Sequence, residues 1–192
     1  MSSRAFGAQA AARRLRSCRR IAVLGSGGSG KSTAAREIAR ILSLPLLHLD
    51  GLYWLPGWQP RPDAEWAALQ RQLAAEDRWI MDGNYGRTLE IRLSRADGVL
   101  FLDLPRRICL WRALWRSVRL YGRERPDLGQ GCLEHLDFEF LRWIWGFPRS
   151  TRGKLVAARE AAPEGQVWAV PKTPREVRSL ISELRAESGA RS

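Results

Sequence analysis

The feature that most constrains this chain is a glycine-rich run near its N-terminus. Residues 25–32 read GSGGSGKS, which matches the pattern G-x-x-x-x-G-K-[ST] at every position. The run follows a predicted strand at 21–24 and precedes a predicted helix at 32–42, as a phosphate-binding loop does. Its glycines let backbone N–H groups turn inward around a polyphosphate, and the N-terminus of the helix adds positive potential. The sequence therefore predicts a protein that binds a nucleoside triphosphate.

The residues of this loop have separate predicted roles. Lys31 is expected to reach the β- and γ-phosphates, and the hydroxyl of Ser32 is expected to bind Mg²⁺. The predicted cofactors are accordingly ATP and Mg²⁺. The predicted nucleotide-binding residues of the loop are Gly25, Ser26, Gly27, Gly28, Ser29, Gly30, Lys31, Ser32 and Thr33.

Five short apolar segments, rich in strand-forming residues, predict a sheet. They cover residues 21–25, 45–50, 78–82, 98–103 and 166–170. Each segment except the last is followed by residues with helical spacing, which is typical of βαβ units in a parallel sheet covered on both faces. The predicted fold class is therefore α/β: a P-loop NTPase three-layer sandwich with a five-stranded parallel sheet.

The spacing of these segments also predicts the domain organisation. About sixty residues separate the fourth strand from the fifth, too many for a single crossover, so residues 106–162 are predicted to be a helical lid insertion. A single domain is expected over residues 20–187, followed by a tail at 188–192. Residues 1–19 contain several arginines and no acid, and we expect a disordered basic leader there. An organellar transit peptide is the alternative interpretation.

The composition limits the class of protein. A hydrophobic content of 45% argues against a disordered chain, and no apolar stretch approaches the roughly 18 residues needed to span a bilayer. The three cysteines have no CxxC spacing, which favours a reducing compartment over a disulfide framework or a zinc site. We therefore expect a soluble, cytoplasmic protein.

The charge of the chain predicts an anionic partner, because the formal net charge is +12. All but three of the 32 basic residues are arginine. A genome that favours arginine codons and a need for bidentate phosphate contacts both explain this bias. The charge alone therefore does not identify a nucleic-acid-binding protein.

Three of the predicted strands end in an aspartate, namely Asp50, Asp82 and Asp103. The carboxyl ends of parallel strands form the edge where open α/β sheets bind their ligands. Any one of these acids can simply be the polar end of a strand. Because the phosphate-binding loop lies at the same edge, all three are candidates for a place beside the triphosphate.

Longer motifs resemble known families. The phosphate-binding loop, WIMDGNYGRT at 79–88 and the basic helical insertion together resemble the adenylate kinase-like P-loop kinases. Over about residues 20–180, the chain is more closely similar to the DNA topology modulation protein family. Its motifs include HLDGLYWLPGW at 48–58, FLDLPRRICLWR at 101–112 and RPDLGQGCLEHLDFEFLRWIWGFP at 125–148. The resemblance implies the fold of a nucleotide or small-molecule kinase and leaves the acceptor open.

The resemblance also implies roles for the third and fourth strands. It places the first, third and fourth strands side by side and gives the Mg²⁺-associated acid to the third, so Asp82 is the first candidate and Asp103 the second. Adenylate kinases have GFPR after the aspartate, whereas NYG precedes Arg87 here. A nucleoside-monophosphate site is therefore not implied. Asn84 and Arg87 are predicted to bind the substrate.

The stretch at 48–58 is predicted to form the acceptor pocket. Asp50 would contact the acceptor hydroxyl or phosphate and act as its general base. Tyr53 and Trp54 are predicted to form the wall of the pocket, whereas Trp58 is expected to pack in the core.

The segment after the fourth strand predicts a basic amphipathic helix. Arg112, Arg116 and Arg119 fall on one stripe of that helix, beside an apolar stripe. In kinases, lid arginines stabilise the transferring phosphoryl group, so Arg119, Arg123 and Arg125 are predicted to be catalytic. A helix that lies on a membrane or on DNA, and a solvated charged face, are the alternatives.

Lys172 follows the last predicted strand, in the loop that flanks the adenine ring in related kinases, and we expect it to contact the nucleotide. The leading hypothesis is a Mg²⁺-ATP-dependent phosphotransferase, with Lys31, Asp50, Asp82 and the three lid arginines as its catalytic residues. Its partners would be ATP and a small-molecule acceptor. The alternative is a DNA-binding factor in which ATP is regulatory, and a third hypothesis is an inactive nucleotide-binding module.

Overall fold

The structure is a computed structural model that describes residues 7–125, 127–129 and 131–189, with side chains through Ala186. The strands within these residues are β1 (Arg20–Gly25), β2 (Leu46–His48), β3 (Trp54–Leu55), β4 (Gln59–Pro60), β5 (Trp79–Asp82), β6 (Gly98–Leu102) and β7 (Val167–Ala169). The helices within them are α1 (Ala8–Arg16), α2 (Lys31–Leu42), α3 (Leu49–Tyr53), α4 (Asp63–Ala75), α5 (Leu89–Leu93), α6 (Arg106–Arg119), α7 (Phe138–Gly146), α8 (Thr151–Glu160) and α9 (Pro174–Gly189).

A five-stranded sheet forms the centre of the molecule, with the strand order β2-β5-β1-β6-β7. All four pairings in this sheet are parallel. The predicted α/β fold class and its five-stranded parallel sheet are therefore confirmed. The first, third and fourth predicted strands correspond to β1, β5 and β6, and they are adjacent, as the resemblance implies.

The core lies on both faces of this sheet. Along β1, Ile21 and Val23 belong to one buried apolar cluster, and Ala22 and Leu24 belong to the other. The period of two is that of a strand with both faces covered. Helices α1, α2 and α9 pack against the first cluster, and α4, α5 and α8 contribute residues to the second. Each fully buried side chain of this kind stabilises the fold by about 1.5–3 kcal/mol relative to exposure.

The N-terminal region differs from the predicted disordered leader. Residues 8–16 form α1, in which Ala12 and Leu15 are completely buried in the first cluster, against α9. The apolar residues in this arginine-rich stretch recur at helical spacing, so they form one face of a helix. Packing of that face against α9 stabilises the helix. Residues 1–6 of the predicted leader and 190–192 of the predicted tail lie outside the described residues, and residues 188–189 continue α9.

Three helices, α6, α7 and α8, lie between β6 and β7. The described residues between α6 and α7, which are 120–125, 127–129 and 131–137, are called the lid segment below. Residues 48–58 are called the acceptor segment; they comprise the end of β2, all of α3 and β3, and the turn that leads to β4. Among the described residues, the helices are all too short or too polar to cross a membrane.

Candidate active site

A large cleft of about 1250 Å³ borders the phosphate-binding loop, the acceptor segment, the lid segment and α9. It opens at the carboxyl ends of β1 and β5, the sheet edge at which parallel α/β proteins bind ligands. Of the predicted nucleotide-binding residues, those at 27–33 line the cleft. Gly25 and Ser26 are buried at its base.

Backbone geometry sets the shape of the phosphate-binding loop. Gly28 and Gly30 have φ values of 73° and 93°, a region that residues with a side chain rarely enter. The Lys31 ammonium donates to the carbonyl of Ser26 at 3.0 Å, which folds its side chain back over the loop. The hydroxyls of Ser26 and Ser29 are buried, and neither has a protein hydrogen-bond partner. A polyphosphate in the loop would supply acceptors for these hydroxyls.

Helices from the insertion pack directly on this loop. A Cβ atom added at Gly28 would lie 2.1 Å from the carbonyl oxygen of Cys109 in α6. A Cβ atom added at Gly27 would lie 2.5 Å from the ring of Phe140 in α7. The two glycines therefore permit a close approach of α6 and α7 as well as the turn of the loop.

Asp82 ends β5 beneath the cleft, with 5% of its surface exposed. One carboxylate oxygen, Oδ2, is hydrogen-bonded to Nδ1 of His48 at 3.0 Å, and the other, Oδ1, is buried without a partner. A buried carboxylate oxygen without a partner fits a site for a bound cation or its water ligands. His48, which the sequence analysis does not assign, thus orients the predicted Mg²⁺-associated acid.

Asp103, the second candidate for that role, is engaged elsewhere. Both of its oxygens accept hydrogen bonds from the Arg152 guanidinium, at 2.7 and 2.8 Å. This bidentate pair occupies the carboxylate, so Asp82 is the better candidate. Within the described residues, no group of three His, Cys, Asp or Glu side chains could hold a metal by itself. Mg²⁺ bound with nucleotide does not need such a group, because water and phosphate supply most of its ligands.

Asp50 lies in the first turn of α3, because β2 ends at His48 instead of continuing to residue 50 as predicted. Its Oδ1 accepts a 2.7 Å hydrogen bond from the hydroxyl of Tyr85. Burial raises the pKa of Asp50 above its ordinary value, and the hydrogen bond from Tyr85 offsets this only in part. A carboxylate with a raised pKa at the edge of a nucleotide-sized cleft is suited to accept a proton.

Asn84 and Arg92, both after β5, bond to main-chain atoms near the phosphate-binding loop and the end of β5. The Asn84 amide bonds Gly25 in both directions: its Oδ1 accepts from the Gly25 amide at 3.1 Å, and its Nδ2 donates to the Gly25 carbonyl at 2.7 Å. Fully buried Arg92 donates to the carbonyls of Gly83 and Asn84 at 3.1 and 2.5 Å. Asn84 therefore positions Gly25, and because it also lines the cleft, its predicted contact with the substrate stays a prediction.

Arg87 differs from its predicted place in the substrate site. Its side chain is 83% exposed and pairs with Asp63 at the start of α4, outside the cleft. Tyr85, two residues earlier, has a positive φ of 39°, and the chain turns there. The ring of Tyr85 faces Asp50, and Arg87 is directed to the surface. Tyr85 is the residue of this motif that the sequence analysis missed.

The aromatic residues of the acceptor segment are arranged differently from the prediction. Trp54 lines the cleft as expected, but Tyr53 packs against Trp66 and Tyr85, with ring centroids 5.1 and 4.7 Å apart. Trp58, expected in the core, lines the cleft. Its indole N–H donates to the carbonyl of Leu133 in the lid segment at 2.9 Å.

The lid arginines are also distributed differently from the prediction. Arg125 lines the cleft, whereas Arg119 and Arg123 are exposed outside it. Arg119 is the last residue of α6 and Arg123 follows the helix, and neither lines the cleft. Arg116 and Arg112, about one and two turns before Arg119 in α6, line the cleft instead.

The last predicted contact, Lys172, is exposed and does not line the cleft. Its amide donates to the carboxylate of Glu176 at 2.8 Å, in the capping box that begins α9. Pro174 and Val177, in the first turn of α9, border the cleft instead.

Comparison with known proteins supports this fold. The chain is 30% identical over 129 residues, 64% of its length, to the uncharacterized protein YqaC of Bacillus subtilis (strain 168), of which it covers 69%. The shikimate kinase from Acinetobacter baumannii, solved with shikimate, has a TM-score of 0.52 at 16% identity, over 94% of this chain and 98% of that one. For the shikimate kinase from Bacteroides thetaiotaomicron, the TM-score is 0.50 at 14% identity, over 89% and 98%.

At such identities, the likeness to these structures shows the fold alone, which is that of the small-molecule P-loop kinases. No protein-family model matches the chain. Membership of the DNA topology modulation family is not shown by these comparisons, and that resemblance stays a prediction.

Proposed function

The chain belongs to the same family as the uncharacterized protein YqaC. From this relationship and the geometry of the cleft, we propose that the protein is a Mg²⁺-ATP-dependent phosphotransferase with a small-molecule acceptor. The observation that carries this proposal is the meeting of a phosphate-binding loop and a buried carboxylate in one cleft. Lys31 and Asp50 both line it, and a volume of about 1250 Å³ accommodates a nucleotide and a second small molecule.

The phosphate-binding loop would hold the triphosphate of ATP. The backbone N–H groups of residues 27–32 would bind its β- and γ-phosphates, and Lys31, which donates to the Ser26 carbonyl in this structure, would bind phosphate oxygens instead. The nucleoside would extend toward Pro174 and Val177, at the start of α9. Thr33 borders the same part of the cleft, and Lys172 has no direct contact in this arrangement.

The Ser32 hydroxyl and, through water, Asp82 would hold Mg²⁺. The unpartnered Oδ1 of Asp82 supports this assignment, and His48 fixes the carboxylate through its Oδ2. Bound Mg²⁺ neutralises charge on the phosphate oxygens. Asn84 and Arg92 keep the end of β5 against Gly25, so that Asp82 and the loop stay in register.

Asp50 would take the proton of the acceptor hydroxyl as that oxygen attacks the γ-phosphorus. Tyr85 orients the carboxylate through Oδ1 and leaves Oδ2 for the acceptor. Arg112 lies on the cleft side of α6, beside the phosphate-binding loop, where it can stabilise charge on the transferring phosphoryl group. Arg125 is proposed to act by closing the lid segment over the acceptor.

Replacement of Lys31 by alanine tests the proposal. We expect Lys31→Ala to abolish acceptor-dependent ADP formation, because the transferring phosphate loses its main cation, while the circular dichroism spectrum stays that of the folded chain. Lys154 is exposed on α8, away from the cleft, so Lys154→Ala is the matched control and should retain full activity. Unchanged phosphoryl transfer in Lys31→Ala would contradict the assignment.

One observation favours a second function, the binding of DNA with ATP as a regulator. On α6, Trp111, Trp115 and Val118 are 57–66% exposed, and exposed Arg119 and Arg123 lie at the same end of the helix. Arginines and stacked aromatic rings are a surface that nucleic acids use. A salt titration of DNA affinity tests it, because phosphate contacts give a steep dependence of binding on salt. A flat dependence, or no binding at about 150 mM salt, excludes it.

A further inference from the structure

The acceptor end of the cleft, formed by the acceptor and lid segments with Arg116, carries more negative than positive groups. Its described arginines are Arg116 and Arg125. Its described carboxylates are Asp50, Asp127, Glu134 and Asp137. The excess of carboxylates is notable in a chain whose net charge is +12. It raises the question of whether either arginine is free to bind an anionic acceptor.

Arg125 is fully engaged by acids of its own segment. Its Nη2 lies 2.6 Å from Oδ2 of Asp127 and its Nη1 lies 3.1 Å from Oε2 of Glu134. Its Nε donates to the other oxygen of Asp127 at 3.2 Å. Arg125 and Asp127 therefore form a bidentate ion pair, with Glu134 as a second acid partner of the same guanidinium.

Arg116 is neutralised in the same way. Its Nε donates to Oε1 of Glu134 at 3.3 Å, and Glu134, which is 4% exposed, also accepts a 2.7 Å hydrogen bond from the Ser117 hydroxyl. An anionic ligand that took Arg116 or Arg125 away would leave a buried carboxylate without its partner, which is strongly unfavourable. Arg125 is therefore not available to a carboxylate or phosphate on the acceptor, and the charge of Arg116 is offset by buried Glu134.

The other cations of the cleft belong to its phosphate end. Lys31 is part of the phosphate-binding loop. Arg112 is close to the same loop, because a Cβ atom added at Gly30 would lie 3.9 Å from its Nη1. Arg36 and Arg178 belong to α2 and α9, the helices beside the proposed nucleotide site. The hydrogen-bond partner of Asp50 is neutral, the hydroxyl of Tyr85. The cations that act on Asp50 are Lys31, from the phosphate-binding loop, and Arg125, which is paired with acids of the lid segment.

Two tryptophan rings complete the acceptor end. Trp54 and Trp58 stand edge to face, with ring centroids 5.5 Å apart, and the bond from Trp58 to the Leu133 carbonyl fixes the second ring. Aromatic faces attract the apolar faces of other rings, and they attract cations but not anions. The tryptophan rings and the carboxylates therefore both favour a ligand that carries no negative charge.

We propose that the acceptor is a ring-bearing alcohol without an anionic group, either neutral or positively charged; this inference rests on the proposed function. Its ring packs on Trp54 and Trp58, and its hydroxyl faces Asp50. The hydroxyl proton passes to the Asp50 carboxylate, and the oxygen forms a bond to the γ-phosphorus. The bond from that phosphorus to the β–γ bridging oxygen breaks, and ADP leaves with the electron pair.

Pairs of related acceptors, in which one member carries an anionic group and the other does not, test the inference. A nucleoside is compared with its 5′-monophosphate, shikimate methyl ester with shikimate, and a hexose with its uronic acid, by ADP formation. We expect activity with one or more pairs, and a kcat/KM at least about tenfold higher for the member without the anion, since like charges in a binding site cost more than one factor of ten.

A variant of the Arg125–Asp127 ion pair distinguishes selection of the acceptor by its charge from a general loss of activity. Asp127→Asn frees Arg125 from its closest acid, so we expect it to shift the ratio of the two kcat/KM values by about tenfold toward the anionic member. Asp63→Asn is the matched control, because Asp63 is exposed and pairs with Arg87 outside the cleft, and the ratio should not change. Should circular dichroism show that Asp127→Asn is unfolded, Glu134→Gln serves the same purpose.

The outcomes distinguish the two proposals. Preference of the native chain for the anionic members overturns the inference and leaves the phosphotransferase standing. A preference for the neutral members that Asp127→Asn does not alter overturns the role given to Arg125. ADP formation no higher than that of Lys31→Ala with every compound overturns both the inference and the proposed function.

Discussion

The phosphate end and the acceptor end of the cleft are held in place by different interactions. At the phosphate end, the shape comes from the backbone: Gly28 and Gly30 have positive φ values, and Lys31 and Asn84 both bond to main-chain atoms of the loop. At the acceptor end, side chains bond to one another. Asp50 accepts from Tyr85, and Arg125 is paired with two acids of the lid segment.

The difference has a consequence for what each end can tolerate. The phosphate-binding loop should not tolerate larger residues at its glycines, because a side chain there would meet a neighbouring helix. The network of paired charges should not tolerate loss of a member, because each missing partner leaves another group buried and unsatisfied. Loss of function should therefore follow insertion of atoms at one end and deletion of atoms at the other.

The largest effect is expected from Asp50→Asn. Loss of the general base should lower kcat by about 10²–10⁴-fold, whereas affinity for ATP should stay within about threefold because the phosphate end is untouched. Asp103→Asn is the matched control, since Asp103 sits at the same sheet edge but is paired with Arg152. An equal loss of kcat in both variants would contradict the role of Asp50 and the separation of the two ends.

The pH dependence of the native chain sharpens the same prediction. The pKa of Asp50 is raised, so the carboxylate that acts as base is lost as the pH falls through this raised value, at a pH above the ordinary value of about 3.9. We expect kcat to fall along this acid limb and the limb to be absent from Asp50→Asn. The sign for stability is opposite: folding favours the protonated carboxyl, so the free energy of unfolding falls as the pH rises through the same window.

These two ends also explain which parts of the site the sequence could predict. The loop at 25–32 was predictable because its function depends on residue types at fixed local spacing. The edge position of Asp82 followed from the alternation of strands and helices. Neither prediction depends on which side chains distant in the sequence are in contact.

The rest of the site depends on contacts between distant segments. Arg119 and Arg123 have the same local signature as Arg112 and Arg116, but the cleft extends along α6 only as far as Arg116 and Ser117. Tyr85 meets Asp50 across 35 positions of the chain, and His48 meets Asp82 across 34. Spacing along the chain cannot distinguish such pairs from ordinary core residues.

The second effect in size is expected from Arg125→Ala, at the acceptor end. It leaves Asp127 and Glu134 buried without their shared partner, so we expect the free energy of unfolding to fall by about 3–5 kcal/mol and Tm to fall by roughly 10 °C. Arg123→Ala, two positions away and exposed, is the control, with a change within about 0.5 kcal/mol. Equal thermal shifts in the two variants would show that the ion pairs do not hold the lid segment.

The smallest of the three effects is expected from Gly28→Ala, at the phosphate end. The added Cβ would lie 2.1 Å from the Cys109 carbonyl, at a φ of 73°, so the loop and α6 must separate. Overpacking of this kind costs about 1–3 kcal/mol, which corresponds to a Tm lower by several degrees and to weaker ATP binding. Gly153→Ala, in α8, meets no atom within 4 Å and should leave both measurements unchanged or raise Tm slightly. If Gly28→Ala binds ATP as the native chain does, the backbone of this loop is not what shapes the phosphate end.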